Sequence, residues 1–131
     1  MVRMIFRHIS GTRATQVDIV TIGAHRELIL GRASSAAIRF DSRGDHQVGR
    51  QHARIAWNLE EHPLFQLADL ASRNGTYVNG QRIEQPVFLG LGDVVRLGAT
   101  GPEIAVTWDV TSDLDEGLFR PVDRPVPRVV R

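Results

Sequence analysis

Ala53-Arg54-Ile55-Ala56-Trp57 and Phe65-Gln66-Leu67-Ala68-Asp69-Leu70, followed by Thr76-Tyr77-Val78-Asn79-Gly80-Gln81, decide the fold. The first two runs alternate apolar and polar residues, the pattern of antiparallel strands with one buried face. Val78-Asn79-Gly80-Gln81 then supplies a tight hairpin, because both central positions of a type I′ turn need positive φ and Asn-Gly provides it cheaply. Working outward, similar short runs lie near Met4–Ile9, Gln16–Ile22, Glu27–Leu30, Ala37–Phe40, Val87–Leu89, Val94–Leu97 and Ile104–Val110. Gly, Asn, Asp, Ser and Pro divide them at roughly 8–12-residue spacing. No segment carries a long helical repeat bounded by caps. The expected fold is all-β, a sandwich of two antiparallel sheets.

Composition bounds the function. A chain of 131 residues with 42% hydrophobic and 24% charged residues suits one domain with a real core. No apolar run reaches the ~18 residues of a membrane helix, and the charged start Met1-Val2-Arg3 does not read as a signal peptide, so the expected location is cytoplasmic, without membrane contact. Cysteine is absent, which removes disulfides, thiolate catalysis and zinc–cysteine sites. The five histidines lack metal-ligand spacing, so neither metal nor cofactor is expected. Net charge is only +1, too little to argue for nucleic acid, and the loops lack interleaved aromatics for base stacking. Yet all 16 basic residues are arginine, whose planar fork suits phosphate. Arg32, Arg43, Arg50 and Arg73 fall in expected loops; Arg13, Arg54, Arg82 and Arg96 read as ordinary surface residues.

Beyond Val110 the character changes. Thr111–Gly117 is polar and acidic, and Pro121, Pro125 and Pro127 follow among Arg and Val. The expected organisation is a recognition domain over 1–110 and a Pro/Arg-rich tail or linker over 111–131.

Three pieces carry the chemistry. Gly31-Arg32 ends a strand and presents a guanidinium at the sandwich rim, where it can grip a phosphate with two parallel hydrogen bonds; Ser34 adds a hydroxyl nearby. Asp45–Ala53 is a turn entering a strand, in which Gly49 is expected at positive φ with outward amides forming an anion-binding concavity beside Arg50. His52, entering the strand, reads as a structural histidine bridging loop backbones. Asp69–Thr76 joins two strands: Ser72 and Arg73 face the same rim, Asn74 can offer a donor and an acceptor to an extended peptide, and Gly75 accommodates the turn. Ser34 or Ser72 could be drawn with His52 and Asp69 as a catalytic triad, but no nucleophile elbow is present, and the expectation is a protein without enzymatic activity.

Here the sequence resembles the forkhead-associated (FHA) domain family. Leu30-Gly31-Arg32, Val48-Gly49-Arg50-Gln51-His52-Ala53, Asp69–Gly80 and Gly92-Asp93-Val94-Val95-Arg96-Leu97-Gly98 occur in the family's order and spacing. The resemblance implies about eleven short strands in an FHA/SMAD-like sandwich that binds phosphothreonine peptides through loops at one end. It implies that Arg32 grips the phosphate and Asn74 the peptide main chain, with Gly31, His52 and Gly75 structural. The implied partner is a phosphothreonine-containing protein, with a Ser/Thr kinase or its substrate as candidates; the alternative is an FHA-like interaction domain acting independently of phosphate. One departure bears on that choice. The family usually has serine where this chain has Gly49, and that hydroxyl donates to the phosphate; Arg73, where the family often has serine, threonine or lysine, is a candidate to compensate. The loop Asp41–Gln47 looks longer than usual, bringing Arg43 toward the ligand while Asp41 and Asp45 oppose a dianion.

Overall fold

The computed structural model describes residues 1–23, 26–58 and 63–110; the expected tail over 111–131 lies outside them. Every regular element among the described residues is a strand. They run β1 (Val2–His8), β2 (Val17–Ile22), β3 (Glu27–Gly31), β4 (Ile38–Arg39), β5 (Ala53–Asn58), β6 (Leu64–Asp69), β7 (Thr76–Val78), β8 (Gln81–Arg82), β9 (Val87–Phe88), β10 (Asp93–Leu97) and β11 (Glu103–Val110). The six-stranded sheet has the order β2-β1-β11-β10-β7-β8 and the five-stranded sheet β4-β3-β5-β6-β9. This is the expected sandwich. β8, exposed and polar, carries no strand signal of its own; it forms because the Asn79-Gly80 turn, with φ of 51° and 87°, folds Gln81 and Arg82 back onto Val78 and Tyr77.

The strict two-residue period places one row from each strand between the sheets. Met4 and Phe6 of β1 meet Ile104 and Val106 of β11 on one side; Leu28, Leu30, Ile55, Phe65 and Leu67 line the other. Phe65 lies 4.7 Å from Trp108 and 6.1 Å from Trp57, ring centre to ring centre, which ties the two sheets through aromatic contacts. His8 continues the inward row of β1, only 1% exposed, with Nε2 2.9 Å from Asp18.

One pair departs from the antiparallel expectation: β3 and β4 are parallel, with Leu30 opposite Ile38. The intervening loop holds a tight turn in which the Ala36 N–H donates to the Ala33 carbonyl (3.0 Å), and the chain leaves it in the direction of β3. The Arg32 and Ala33 amides bond the carbonyls of Gly49 and Arg50 instead of extending the strand, so the segment is pinned to the approach of β5. That pinning creates the rim on which the candidate residues sit.

Two further expectations change. Asp45 does not face the rim. It is 4% exposed and accepts from the Thr12 N–H and hydroxyl (3.2 and 2.7 Å), anchoring the long 41–47 loop against the β1–β2 connection. Arg13 and Arg96 are not loose surface charges either: Arg13 pairs with Asp18 at 2.8 Å, and the Arg96 guanidinium lies 4.4 Å above the Tyr77 ring.

Candidate functional site

The backbone strip Gln47-Val48-Gly49 organises the site. The Gln47 carbonyl accepts from Asn74 Nδ2 at 3.0 Å. The next carbonyl, that of Val48, accepts from Arg32 Nε in a short bond. The next amide, that of Gly49, donates to His52 Nδ1 at 2.8 Å. Consecutive peptide groups thus hold the two side chains singled out for phosphate and peptide, and the strip is itself held by His52. Arg32 and Asn74 come from loops 42 positions apart in sequence, and neither is fully buried. Each keeps donors in hand after these bonds, since a guanidinium has five N–H groups and a side-chain amide two N–H groups and a carbonyl.

His52 is completely buried and bonded at both ring nitrogens. Nδ1 accepts from Gly49, so Nε2 carries the proton and donates to the Gly75 carbonyl at 2.8 Å. Accepting the Gly49 N–H at Nδ1 requires the neutral ring, whereas the Nε2–H bond to Gly75 does not. Burial, the largest influence, holds the imidazole below its ordinary value of 6.5, against the opposing pulls of the Gly75 carbonyl and the Asp69 carboxylate. The Gly75 carbonyl also accepts from the Gly98 N–H at 2.8 Å, which brings the turn after β10 into the same cluster.

Asp69 organises the third piece. Its carboxylate accepts from the Ser72 N–H (3.0 Å), the Ser72 hydroxyl and the buried Thr76 hydroxyl (2.7 Å). Burial alone would raise the Asp69 pKa, but these bonds and the nearby His52 outweigh it and leave it below the usual carboxylate value. Ser72 Oγ in turn accepts from the Gly75 N–H at 2.9 Å. The Ser72 hydroxyl proton therefore belongs to the loop, not to the rim. The triad drawn from sequence is not assembled: Ser72 bonds Asp69 directly, while His52 lies 4.0 Å from Asp69 and uses both nitrogens on backbone.

Gly31 is structural by close approach. A Cβ there would stand 2.0 Å from the Arg50 carbonyl oxygen, so no other residue allows the 31–33 and 49–50 segments to meet. Gly49 overturns its expectation. Its φ is not among the positive values, and its N–H points inward to His52, so it contributes no outward amide. A Cβ at Gly49 would touch His52 Nδ1 at 3.7 Å, an ordinary contact, so glycine is not required by the backbone. Ser34, Arg50 and Arg73 are exposed, as is Arg43. Sequence reasoning missed two organisers, Gln47 and Thr76. The Asp-x-x-Ser spacing of Asp69 and Ser72 signals a side-chain-capped turn and could have exposed the Asp69 hub; nothing in the sequence marks Gln47. Among the described residues no cluster of His, Asp and Glu could hold a metal ion.

Comparison with known proteins places this geometry. The FHA domain family model matches residues 28–98. A curated relative, the FHA domain-containing protein FhaA of Mycobacterium tuberculosis, is 40% identical over 70 residues, which is 53% of this chain and 12% of that protein. The chain therefore spans a small part of that relative's length. Among solved structures, one from a study of phosphothreonine-dependent FHA domain interactions is 31% identical, covers 83% of this chain and 99% of its own, and superposes with a TM-score of 0.65. The FhaA FHA domain complexed with the intracellular domain of Rv3910 is 32% identical, with 79% and 98% coverage and a TM-score of 0.62.

Proposed function

Because this chain belongs to the FHA domain family, we propose that it is a binding module that docks phosphothreonine-containing segments of other proteins on the rim around Arg32 and Asn74. The observation that carries this reading is the pairing of Arg32 and Asn74 on consecutive carbonyls of the 47–48 strip. One supplies a charge-assisted grip on a phosphate dianion, the other a neutral amide matched to a peptide backbone. Arg32 anchors the phosphate; Ser34, Arg50 and Arg73, exposed on the flanking loops, add contacts; Asn74 fixes the main chain. Ser72 acts from within its loop, and Gly31, His52 and Gly75 hold the frame. The module works without catalysis, cofactor or metal, in the cytoplasm, on a partner that a Ser/Thr kinase has phosphorylated or on the kinase itself; nucleic acid and membranes are not its targets.

A second reading, docking that does not depend on phosphate, draws support from Gly49. The hydroxyl usual in the family is missing, and the Gly49 amide is committed to His52, so two donors are absent from the phosphate's surroundings. Fluorescence-anisotropy titration of one peptide in threonine and phosphothreonine forms separates the readings. Phosphorylation should tighten binding, and Arg32→Ala should abolish most of the gain, about 30-fold for the loss of a ~2 kcal/mol charged hydrogen-bond pair. Equal affinity for both peptide forms in the wild-type protein would establish the second reading.

A further inference from the structure

The Gln47 side chain joins the strip that holds Arg32 and Asn74 to a loop from the other sheet. Gln47 Nε2 donates to the Thr100 hydroxyl at 2.7 Å, and the Thr100 N–H donates back to Gln47 Oε1 at 3.0 Å. The two bonds close a ring between a side-chain amide and one residue, 53 positions away in sequence. Gly98 makes room for it: a Cβ there would stand 2.4 Å from Gln47 Oε1 and 2.6 Å from Gln47 Cβ. Gly98 is in turn fastened by its N–H to the carbonyl of Gly75, the same carbonyl that takes the His52 proton.

The consequence is mechanical. The Gln47 carbonyl that receives Asn74 and the Val48 carbonyl that receives Arg32 are adjacent peptide groups, so any rotation of that strip moves both side chains together. His52 and the Arg32 N–H hold the strip at Gly49, and the Val48 N–H is bonded to the Asp45 carbonyl at 3.1 Å. The Gln47–Thr100 ring holds it at the other end. We propose that Gln47 is a positioning residue for phosphopeptide binding: its side-chain ring with Thr100 sets the strip so that the Arg32 guanidinium and the Asn74 amide are presented in one fixed relation. This rests on the binding function proposed above. Gln47 acts through two other side chains and need not touch the ligand. The preorganisation lowers the ordering cost that the loops would otherwise bear on association.

The test uses the full chain and a phosphothreonine peptide selected from a degenerate library, with its unphosphorylated form as control. Gln47→Ala and Thr100→Val should each weaken phosphopeptide binding by about five- to tenfold, the equivalent of one or two neutral hydrogen bonds. Thr100→Ser should restore wild-type affinity. The double variant Gln47→Ala/Thr100→Val should be no weaker than Gln47→Ala alone, because Gln47→Ala already removes both bonds of the ring while Thr100→Val removes only the one to the hydroxyl. In an Arg32→Ala background, Gln47→Ala should have a smaller effect than in the wild type. The Asn74 side-chain amide resonances should broaden or shift in Gln47→Ala while β5 and β6 amides stay unchanged, which a general loss of stability would not produce. Unchanged affinity in both single variants, or additive losses in the double variant, overturns the proposal. If Gln47→Ala does not fold, Thr100→Val and Thr100→Ser decide alone. A wild-type protein that ignores phosphorylation refutes the binding reading itself, a different result from a wild type that prefers phosphothreonine but is indifferent to Gln47.

Discussion

His52 donates its Nε2 proton to the carbonyl of Gly75, 23 positions later, at 2.8 Å inside a fully buried pocket. The bond fastens the loop that carries Asn74 to the entrance of β5, and the opposite ring nitrogen fastens Gly49. One side chain therefore sets the spacing between two of the three loops of the rim.

Replacing it should act on the frame first. His52→Ala leaves the Gly49 N–H and one acceptor site of Gly75 without this partner and opens a cavity, for a loss of ~2–4 kcal/mol. Chemical denaturation measures the loss. Affinity in the folded fraction should fall as well, since Arg32 and Asn74 rest on the strip that His52 holds. Unchanged stability with abolished binding would reassign His52 to direct contact.

The same burial gives stability a pH dependence of known sign. The folded-state pKa of His52 lies below 6.5, so the unfolded chain binds the extra proton first. Its contribution is complete above pH ~6.5 and is lost progressively as pH falls from there through the folded pKa. Asp69 and Asp18, both held below 3.8, add a second loss only at lower pH, below that value and through their folded pKa values. Urea midpoints taken from pH 8 down to pH 4 should decline in the wild type beginning near pH 6.5. In a folded His52→Gln variant that part of the decline should vanish; its persistence would move the effect to another group.

Gly49→Ser should be accommodated and should improve binding. The backbone is not at positive φ, and the new Cβ meets only His52 atoms at ordinary contact distance, the nearest being Nδ1 at 3.7 Å. No left-handed strain opposes the substitution, so a hydroxyl donated to a phosphate oxygen acts undiminished, worth ~1–2 kcal/mol or roughly tenfold in affinity. Calorimetry with phosphorylated and plain peptides measures it, and only the former should gain. Repeating the titration with Arg73→Ala in both backgrounds shows whether that exposed arginine stands in for the missing hydroxyl. Its removal should matter more with glycine at 49 than with serine.

Gly31→Ala should be strongly damaging. The added methyl would stand 2.0 Å from the Arg50 carbonyl oxygen and 2.9 Å from that of Gly49, both backbone atoms that cannot swing aside. Separating the segments also breaks the Arg32 and Ala33 amide bonds, for a loss of ~3 kcal/mol or more. Thermal melting checks this, with Gly80→Ala as a comparison: its Cβ meets nothing within 4 Å, so only the positive φ opposes it.

Local pattern by itself determined the sandwich. Alternation in β5 and β6, the Asn79-Gly80 turn and the Gly31-Arg32 strand exit are all features of neighbouring residues, and each is formed as its sequence dictates. The role of His52 was legible for a related reason: a lone histidine without ligand spacing, next to a glycine turn, has backbone as its natural partner. The geometry of the rim was not legible, because it depends on which residues meet across loops. Only the tertiary structure turned Asp45 inward to Thr12, directed the Gly49 amide to His52, and gave the Ser72 hydroxyl to Asp69. Gln47 shows the limit most plainly: its position has no periodicity, turn or charge signal, and its importance arises from a carbonyl and an amide whose partners, Asn74 and Thr100, lie 27 and 53 positions away. Hydrogen-bond partners at such separations are set by how two sheets close on one core, and no run of neighbouring residues encodes that closure.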